Sequence, residues 1–85
     1  METGFLKCDV SSGLFPEERS VTFSSADGER VELFCSKDFL KGDNLEVEIL
    51  DKKDTRCLVR LPADPLTASR DVVVNLEDIR VLQKA

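Results

Sequence analysis

Apolar and polar residues alternate with a period of two along most of the 85-residue chain. No window keeps apolar residues at the helical spacing i, i+3, i+4, i+7 over the length of an ordinary helix. Alternation with a period of two is typical of strands that bury one face and leave the other in water. The pattern therefore predicts an all-β fold of about seven short antiparallel strands, in a single domain that covers residues 1–85.

Each predicted strand places a set of apolar residues on one face. The first three strands cover Phe5–Val10, Arg19–Ser24 and Arg30–Ser36, and the seventh covers Ile79–Leu82. Loops or turns rich in Gly, Pro, Asn or Asp are expected at 11–18, 37–44 and 62–69, with a tight turn at 76–78. The predicted inward residues are Leu6, Cys8, Val10, Val21, Phe23, Val31, Leu33, Cys35, Leu45, Val47, Ile49, Cys57, Val59, Leu61, Val72 and Val74.

The alternation also decides the register of the hairpin that joins the second and third strands. A three-residue loop of Ala26, Asp27 and Gly28 sets Phe23 opposite Val31, so that both side chains point inward. A two-residue turn would set an inward residue opposite an outward one. We therefore expect the longer loop, with Gly28 in the left-handed conformation that closes a bulged turn.

In the next hairpin, matching the inward faces pairs Val47 with Val59. The same register sets Glu46 opposite Arg60 on the solvent side, where the two side chains can form an ion pair. The connecting loop is then expected at Lys52–Asp54, or slightly longer.

The order of elements resembles that of the SH3-like small barrels. The segment Gly42-Asp43-Asn44-Leu45-Glu46-Val47-Glu48-Ile49 looks like the glycine-aspartate entry into a long strand that is common in that superfamily. Residues Val72 to Leu82 look like its ending of a strand, a single tight turn and a last strand. The resemblance covers roughly residues 19–82. It implies a small SH3-like barrel or roll and leaves the function open.

The carboxy-terminal half is also similar to the carbon storage regulator family of small RNA-binding proteins. Members of that family carry basic residues just after the valine-rich strand. This chain has Asn75-Leu76-Glu77-Asp78 there instead. The departure removes the chemistry that would bind RNA.

Composition argues against catalysis and against polyanionic ligands. Lys and Arg total 12 against 17 Asp and Glu, so the net charge is -5, which disfavours nucleic acid and anionic lipid. Histidine, the usual general base near neutral pH and the commonest metal ligand, is absent. The cysteines Cys8, Cys35 and Cys57 share the inward parity of their strands, which predicts small core residues with reduced thiols. We therefore expect no enzymatic activity, no metal site and no cofactor.

The location of the protein is also predicted from its sequence. No stretch approaches the roughly 20 apolar residues that cross a bilayer. The start of the chain lacks the basic residues and the apolar run of a signal peptide. We expect a cytoplasmic protein that does not contact membranes.

Basic residues gather around one hairpin, at Lys52, Lys53, Arg56 and Arg60. Such a patch on a small barrel could touch RNA, which gives the alternative hypothesis of an RNA-binding protein. Acidic residues lie beside the patch at Glu46, Glu48, Asp51 and Asp54, and we expect mutual neutralisation.

The most informative residues are apolar ones at positions where the pattern predicts exposure. They are Leu14, Phe15, Phe34, Phe39, Leu40, Leu50 and Val73. Those in the two long loops either plug the ends of a thin core or form an interaction patch. We expect Phe39 to pack into the core and Phe15, beside Pro16, to be the more exposed. The functional hypothesis is a noncatalytic interaction module that binds a protein partner, or a second copy of itself, through Leu14, Phe15, Phe34 and Leu40.

Overall fold

A computed structural model describes residues 2–66 and 69–81 of the chain. These residues form antiparallel strands, and their only helical segments are two 3₁₀ turns of three residues each. The predicted all-β fold is therefore confirmed. The described strands are β1 (Glu2–Lys7), β2 (Asp9–Ser12), β3 (Glu18–Ser24), β4 (Arg30–Ser36), β5 (Leu40–Lys41), β6 (Asn44–Lys53), β7 (Arg56–Arg60), β8 (Asp71–Asn75) and β9 (Ile79–Val81).

The core consists of buried apolar side chains contributed by both sheets. Burying a Val or Leu side chain stabilises the folded state by about 1.5–3 kcal/mol, so the shared core favours one packed arrangement of the two sheets. Every buried core residue belongs to the predicted inward set, and Val10, the remaining member of that set, packs against the cluster while partly exposed. The core residues are Leu6, Cys8, Val21, Phe23, Val31, Leu33, Cys35, Leu45, Val47, Ile49, Cys57, Val59, Leu61, Val72 and Val74.

The strands are arranged in two antiparallel sheets. The larger sheet has the order β8-β7-β6-β1-β9, with β5 also paired to β6, and the smaller sheet has the order β2-β3-β4. The turn between β3 and β4 touches the edge of the larger sheet, where the Ala26 amide donates to the Val73 carbonyl at 2.8 Å. Strand pairing among the described residues thus gives two sheets around one core.

The chain passes from the larger to the smaller sheet at Cys8. The prediction of one continuous strand over Phe5–Val10 is wrong, because Cys8 separates β1 from β2. Its amide donates to the Asp43 carbonyl at 2.9 Å, at the turn that leads into β6. Residues before this point pair with β6 and β9, and residues after it pair with β3. The break keeps both inward faces on the same core, which explains why alternation alone did not reveal it.

The hairpin of β3 and β4 has the predicted register. Phe23 pairs with Val31, and the Ser25 amide donates to the Glu29 carbonyl at 2.8 Å across the three-residue loop. Gly28 has φ 84°, a conformation that glycine adopts without steric cost.

The predicted register of the hairpin of β6 and β7 is wrong by two residues. Val59 pairs with Ile49, and Arg60 pairs with Glu48. A two-residue turn of Asp54 and Thr55, with Asp54 at φ 55°, replaces the predicted three-residue loop. The register also shifts between Ile49 and Asp51, which identifies Leu50 as an extra residue in β6. A bulge of this kind changes the register while it leaves apolar residues inward, so the alternation fits both registers.

The remaining connections are short. The predicted 37–44 loop contains the 3₁₀ turn Lys37–Phe39, then β5 and a turn at Gly42, whose φ is 60°. The predicted tight turn is the 3₁₀ turn Leu76–Asp78, and β9 follows it to Val81. Leu82, at the end of the predicted last strand, lies outside the described residues, as do Thr67 and Ala68 in the predicted 62–69 loop.

Candidate functional site

The hairpin tip, residues Gly13–Glu17, joins β2 to β3. The Gly13 amide donates to the Glu18 carbonyl at 3.1 Å and closes the hairpin, while the Glu18 amide donates to the Phe15 carbonyl at 3.0 Å. Pro16 follows Phe15 in this four-residue turn, a position that suits the fixed φ of proline. Hydrogen bonds within the tip therefore hold its backbone in a closed turn.

Side chains and a neighbouring segment hold the tip further. The Leu14 amide donates to Glu18 Oε1 at 3.0 Å, and Arg19 Nη1 donates to the Pro16 carbonyl at 2.8 Å. The Lys37 amide donates to the Glu17 carbonyl at 2.8 Å, and Lys37 Nζ lies 3.2 Å from Glu17 Oε2. These bonds connect the tip to the end of β4, so the tip has a defined orientation relative to the smaller sheet.

Leu14 and Phe15 expose most of their apolar surface on this tip. Their side chains are 81% and 68% exposed, the two largest exposures among the large hydrophobic residues that the structure describes. Neighbouring exposed apolar residues are a common mark of an interaction site. The sequence analysis predicted both as partner-contact residues, because they are apolar residues in a loop rich in turn residues.

The structure does not gather all four predicted contact residues into one patch. Phe34 lies opposite Ser20 on the outer face of the smaller sheet and is half-buried. Leu40 lies in β5 of the larger sheet and packs, partly buried, against the core. Only Leu14 and Phe15 form an adjacent exposed pair.

Leu66 is an exposed apolar residue that the sequence reasoning missed. Its side chain is 57% exposed, and its amide donates to the Glu32 carbonyl at the edge of β4, at 2.9 Å. Pro65 beside it is buried and forms an isolated bridge with Leu33. Leu66 is an apolar residue in a predicted loop, which is the same signal that identified Leu14 and Phe15, so the sequence carried the information.

Three of the four predicted basic residues form ion pairs. Lys52 Nζ lies 2.9 Å from Glu2, and Arg56 Nη1 lies 3.6 Å from Asp27. Within residues 2–66 and 69–81, Lys53 has no carboxylate at ion-pair distance. The neutralisation that was predicted is present. However, it comes from carboxylates on other strands and turns, and not from Glu46, Glu48, Asp51 and Asp54.

Arg60 forms the best-aligned of these pairs, with Asp71 on β8. Its Nε donates to Asp71 Oδ1 at 2.9 Å, and its Nη2 donates to Oδ2 at 3.3 Å. This contact lowers the pKa of the Asp71 carboxyl and raises the pKa of the Arg60 guanidinium. The predicted pair of Arg60 with Glu46 is therefore replaced, because the two-residue turn at Asp54 and Thr55, together with the one-residue bulge, sets Glu48 opposite Arg60.

The three cysteines are buried, as their parity predicted. Burial raises the pKa of the Cys8 thiol to about 11, and Cys8 Sγ donates to the Asp43 carbonyl at 3.2 Å. Burial also raises the pKa of the Cys35 and Cys57 thiols. A raised pKa keeps a thiol protonated near neutral pH, and the protonated form is a poor nucleophile.

The described residues hold no group of three or more Cys, Asp or Glu side chains placed to bind a metal ion. Within the same residues, no helix is long and apolar enough to cross a membrane. Comparison of the chain with protein-family models, curated proteins and solved structures finds no match. The candidate site is therefore defined by its geometry alone, and its centre is the hairpin tip.

Proposed function

We propose that this protein is a noncatalytic interaction module whose hairpin tip binds a protein partner or a second copy of the chain. One observation carries the proposal: Leu14 and Phe15 are adjacent, largely exposed and mounted on a hydrogen-bonded hairpin. A loop that is already ordered loses little conformational entropy on binding. An exposed aromatic residue on such a loop is suited to fill a pocket of a partner.

The chemistry of the described side chains supports binding over catalysis. The chain has no histidine, and its three thiols are buried with raised pKa values. The chain therefore offers neither a histidine as general base nor an activated thiol as nucleophile.

RNA binding by the Lys52–Arg60 hairpin is the weaker alternative. Of its four basic residues, three already contact carboxylates, so fewer counterions would be released when they met phosphates. The net charge of -5 adds long-range repulsion.

Two further parts of the proposal concern the fold family and the location. We assign the two sheets around one core to the SH3-like small barrels, on the pattern of the glycine-aspartate entry into β6 and of the turn between β8 and β9. We also place the protein in the cytoplasm. The reduced state expected of three unpaired cysteines supports that location.

Site-specific photocrosslinking in the native cell tests the proposed interface. The photoreactive residue p-benzoylphenylalanine replaces Phe15 in the full chain, and the matched control carries it at Leu66, which is exposed on a different loop. We expect a discrete crosslinked product for position 15 only, and we expect Leu14→Ser in the same chain to suppress it. The mass of the product distinguishes a second copy from another protein.

Two results would refute the proposed interface. One is the absence of a product at position 15 when the protein is folded. The other is an identical set of products at both positions, which would indicate random encounters with abundant proteins.

A further inference from the structure

The outer face of the larger sheet contains a cleft beside β6. Residues Leu40–Lys41 of β5 pair with one end of β6, and β7 pairs with the other end along the same edge. Glu46 lies between these two pairings, and the cleft that opens there is lined by Phe39, Glu46, Glu48, Arg60 and Arg70 among others. The cleft therefore combines two carboxylates, two guanidinium groups and an aromatic ring.

Both arginines in the cleft are already engaged. Arg60 makes two hydrogen bonds to Asp71, at 2.9 and 3.3 Å. Arg70 donates to the Leu61 carbonyl at 3.0 Å and to the Pro62 carbonyl at 3.3 Å. Both guanidinium groups therefore already donate hydrogen bonds to acceptors of the chain itself.

Among the described residues the two glutamates form no such hydrogen bonds, although Glu48 lies opposite Arg60 in the register of β6 and β7. Glu48 Oε1 is buried and has no hydrogen-bond donor within residues 2–66 and 69–81, the only such buried side-chain atom in that part of the chain. Glu46 forms no ion pair with any residue that the structure describes. A carboxylate partly removed from water without a donor is costly, and a cation in the cleft would offset that cost through its charge. The cleft is therefore suited to a cationic group supplied from outside the chain.

A guanidinium group fits these lining residues better than a compact ammonium. Glu46 and Glu48 are two residues apart on the same face of β6, so their Cα atoms are roughly 7 Å apart. The planar guanidinium has five N–H donors and can bond to two carboxylates at once. It also stacks on aromatic rings, and Phe39 provides one in the wall.

We propose that this cleft receives an arginine side chain of the protein partner that binds the hairpin tip. The inference rests on the proposed function and adds the chemistry of the partner. Lys37 bonds to Glu17 of the tip, and Phe39, two residues later in the same 3₁₀ turn, lines the cleft. In this proposal, one extended segment of the partner spans the tip and the cleft. The net charge of -5 attracts a basic segment.

Nuclear magnetic resonance titration of the full chain tests the cleft directly. The probe is Nα-acetyl-arginine methylamide, and the matched control is the citrulline compound, which has the same shape without the charge. We expect saturable shifts at the amides of Phe39, Glu46 and Glu48 with the arginine compound at low salt. We expect no such shifts with citrulline, and none at Glu77, an exposed carboxylate of the Leu76–Asp78 turn.

Substitution separates a specific site from general attraction. Glu48→Gln, which keeps the shape of the side chain, should weaken binding of the arginine compound at least fivefold. Glu77→Gln should change it less than twofold, and the amide spectrum verifies that both variants fold. Equal shifts with citrulline, shifts spread over all acidic turns, or unchanged binding by Glu48→Gln would each overturn the proposal.

A second variant makes failure of the inference distinguishable from failure of the proposed function. Phe15→Ser should abolish the partner crosslinks of a photoreactive residue placed at neighbouring Leu14 and leave the arginine titration unchanged. In the chain that keeps Phe15, an arginine titration that succeeds while the tip gives no partner crosslinks would refute the hairpin tip as the interface and support the cleft. Specific crosslinks at the tip without arginine binding would do the reverse.

Discussion

Two loops of this protein carry an adjacent pair of apolar residues, and the two pairs have opposite environments. Phe39 and Leu40 pack against the core, whereas Leu14 and Phe15 point away from it. The local sequences are alike in having turn residues on both sides. The difference arises because Leu40 belongs to β5, whose pairing with β6 holds it above the core, while Leu14 and Phe15 lie beyond the last paired residues of β2 and β3.

Truncation of the two phenylalanines should therefore have different effects on stability. Phe39→Ala should lower the free energy of unfolding by about 2–3 kcal/mol, less than the ~3–5 kcal/mol typical of a fully buried phenylalanine. Phe15→Ala should change it by less than about 0.5 kcal/mol, because the ring is mostly in water already. Urea unfolding of the two variants beside the unchanged protein measures both values. A large loss of stability with Phe15→Ala would mean that this ring serves the core.

At the scale of elements, the turns decide how the strands align. The three-residue loop of β3 and β4 keeps Phe23 opposite Val31, as the alternation required. In the hairpin of β6 and β7, a shorter turn and a bulge at Leu50 act together, and each changes the register. Since both registers leave Ile49 and Val59 inward, the pattern of apolar residues could not distinguish them.

Gly13 allows the closed backbone conformation of the hairpin tip, which carries the candidate site. A Cβ atom at this position would lie 2.8 Å from the carbonyl carbon and oxygen of Glu18, closer than real Cβ contacts. Because the obstacle is backbone, the closure of the hairpin would have to open. The orientation of Leu14 and Phe15 thus depends on a residue that carries no side chain.

We expect Gly13→Ala to destabilise the protein by about 1–3 kcal/mol, the usual cost of overpacking. It should also reduce photocrosslinking at position 15, although Leu14 is unchanged. Ser12→Ala, on the neighbouring exposed residue, is the control and should alter neither quantity. Unfolding in urea and the yield of crosslinked product provide the two readouts. Crosslinking that persists at full yield in Gly13→Ala would show that the interaction does not need a fixed tip.

At the scale of the whole molecule, ion pairs connect separate elements. Lys52 on β6 contacts Glu2 on β1, and Arg56 on β7 contacts Asp27 in the turn between β3 and β4. Exposed pairs of this kind contribute little to stability, typically below about 1 kcal/mol each. Their larger effect is on the surface potential, because they offset the positive charge of the one basic hairpin.

This distribution of charge predicts that generic single-stranded RNA does not bind at physiological salt. Fluorescence anisotropy with a labelled oligonucleotide provides the measurement, and a low-salt titration of the same sample serves as the reference for weak electrostatic contact. Micromolar affinity with a steep salt dependence, lost when Lys52, Lys53 and Arg56 are changed to Ala, would favour the RNA-binding alternative instead.

Much of this architecture follows from the sequence by itself. The period of two predicted most of the strands and every buried core residue, since a side chain's face in a strand depends only on its position in the alternation. Burial of the cysteines followed from the same rule, whereas the alternation left open whether Leu14 and Phe15 in their loop were exposed or plugged the core. The loop of Ala26, Asp27 and Gly28 could be deduced because only one loop length matched the two faces.

Only the tertiary structure decided which distant residues meet. The transfer of the chain between sheets at Cys8, the bulge at Leu50 and the pairing of Arg60 with Asp71 depend on how strands far apart in sequence align. Alternation records the face of each residue but not the neighbour across the sheet, and several alignments bury the same side chains. Glu48 lies opposite Arg60 in the register, but the Arg60 guanidinium bonds to Asp71 on β8, and Glu48 Oε1 is buried without a donor among the described residues.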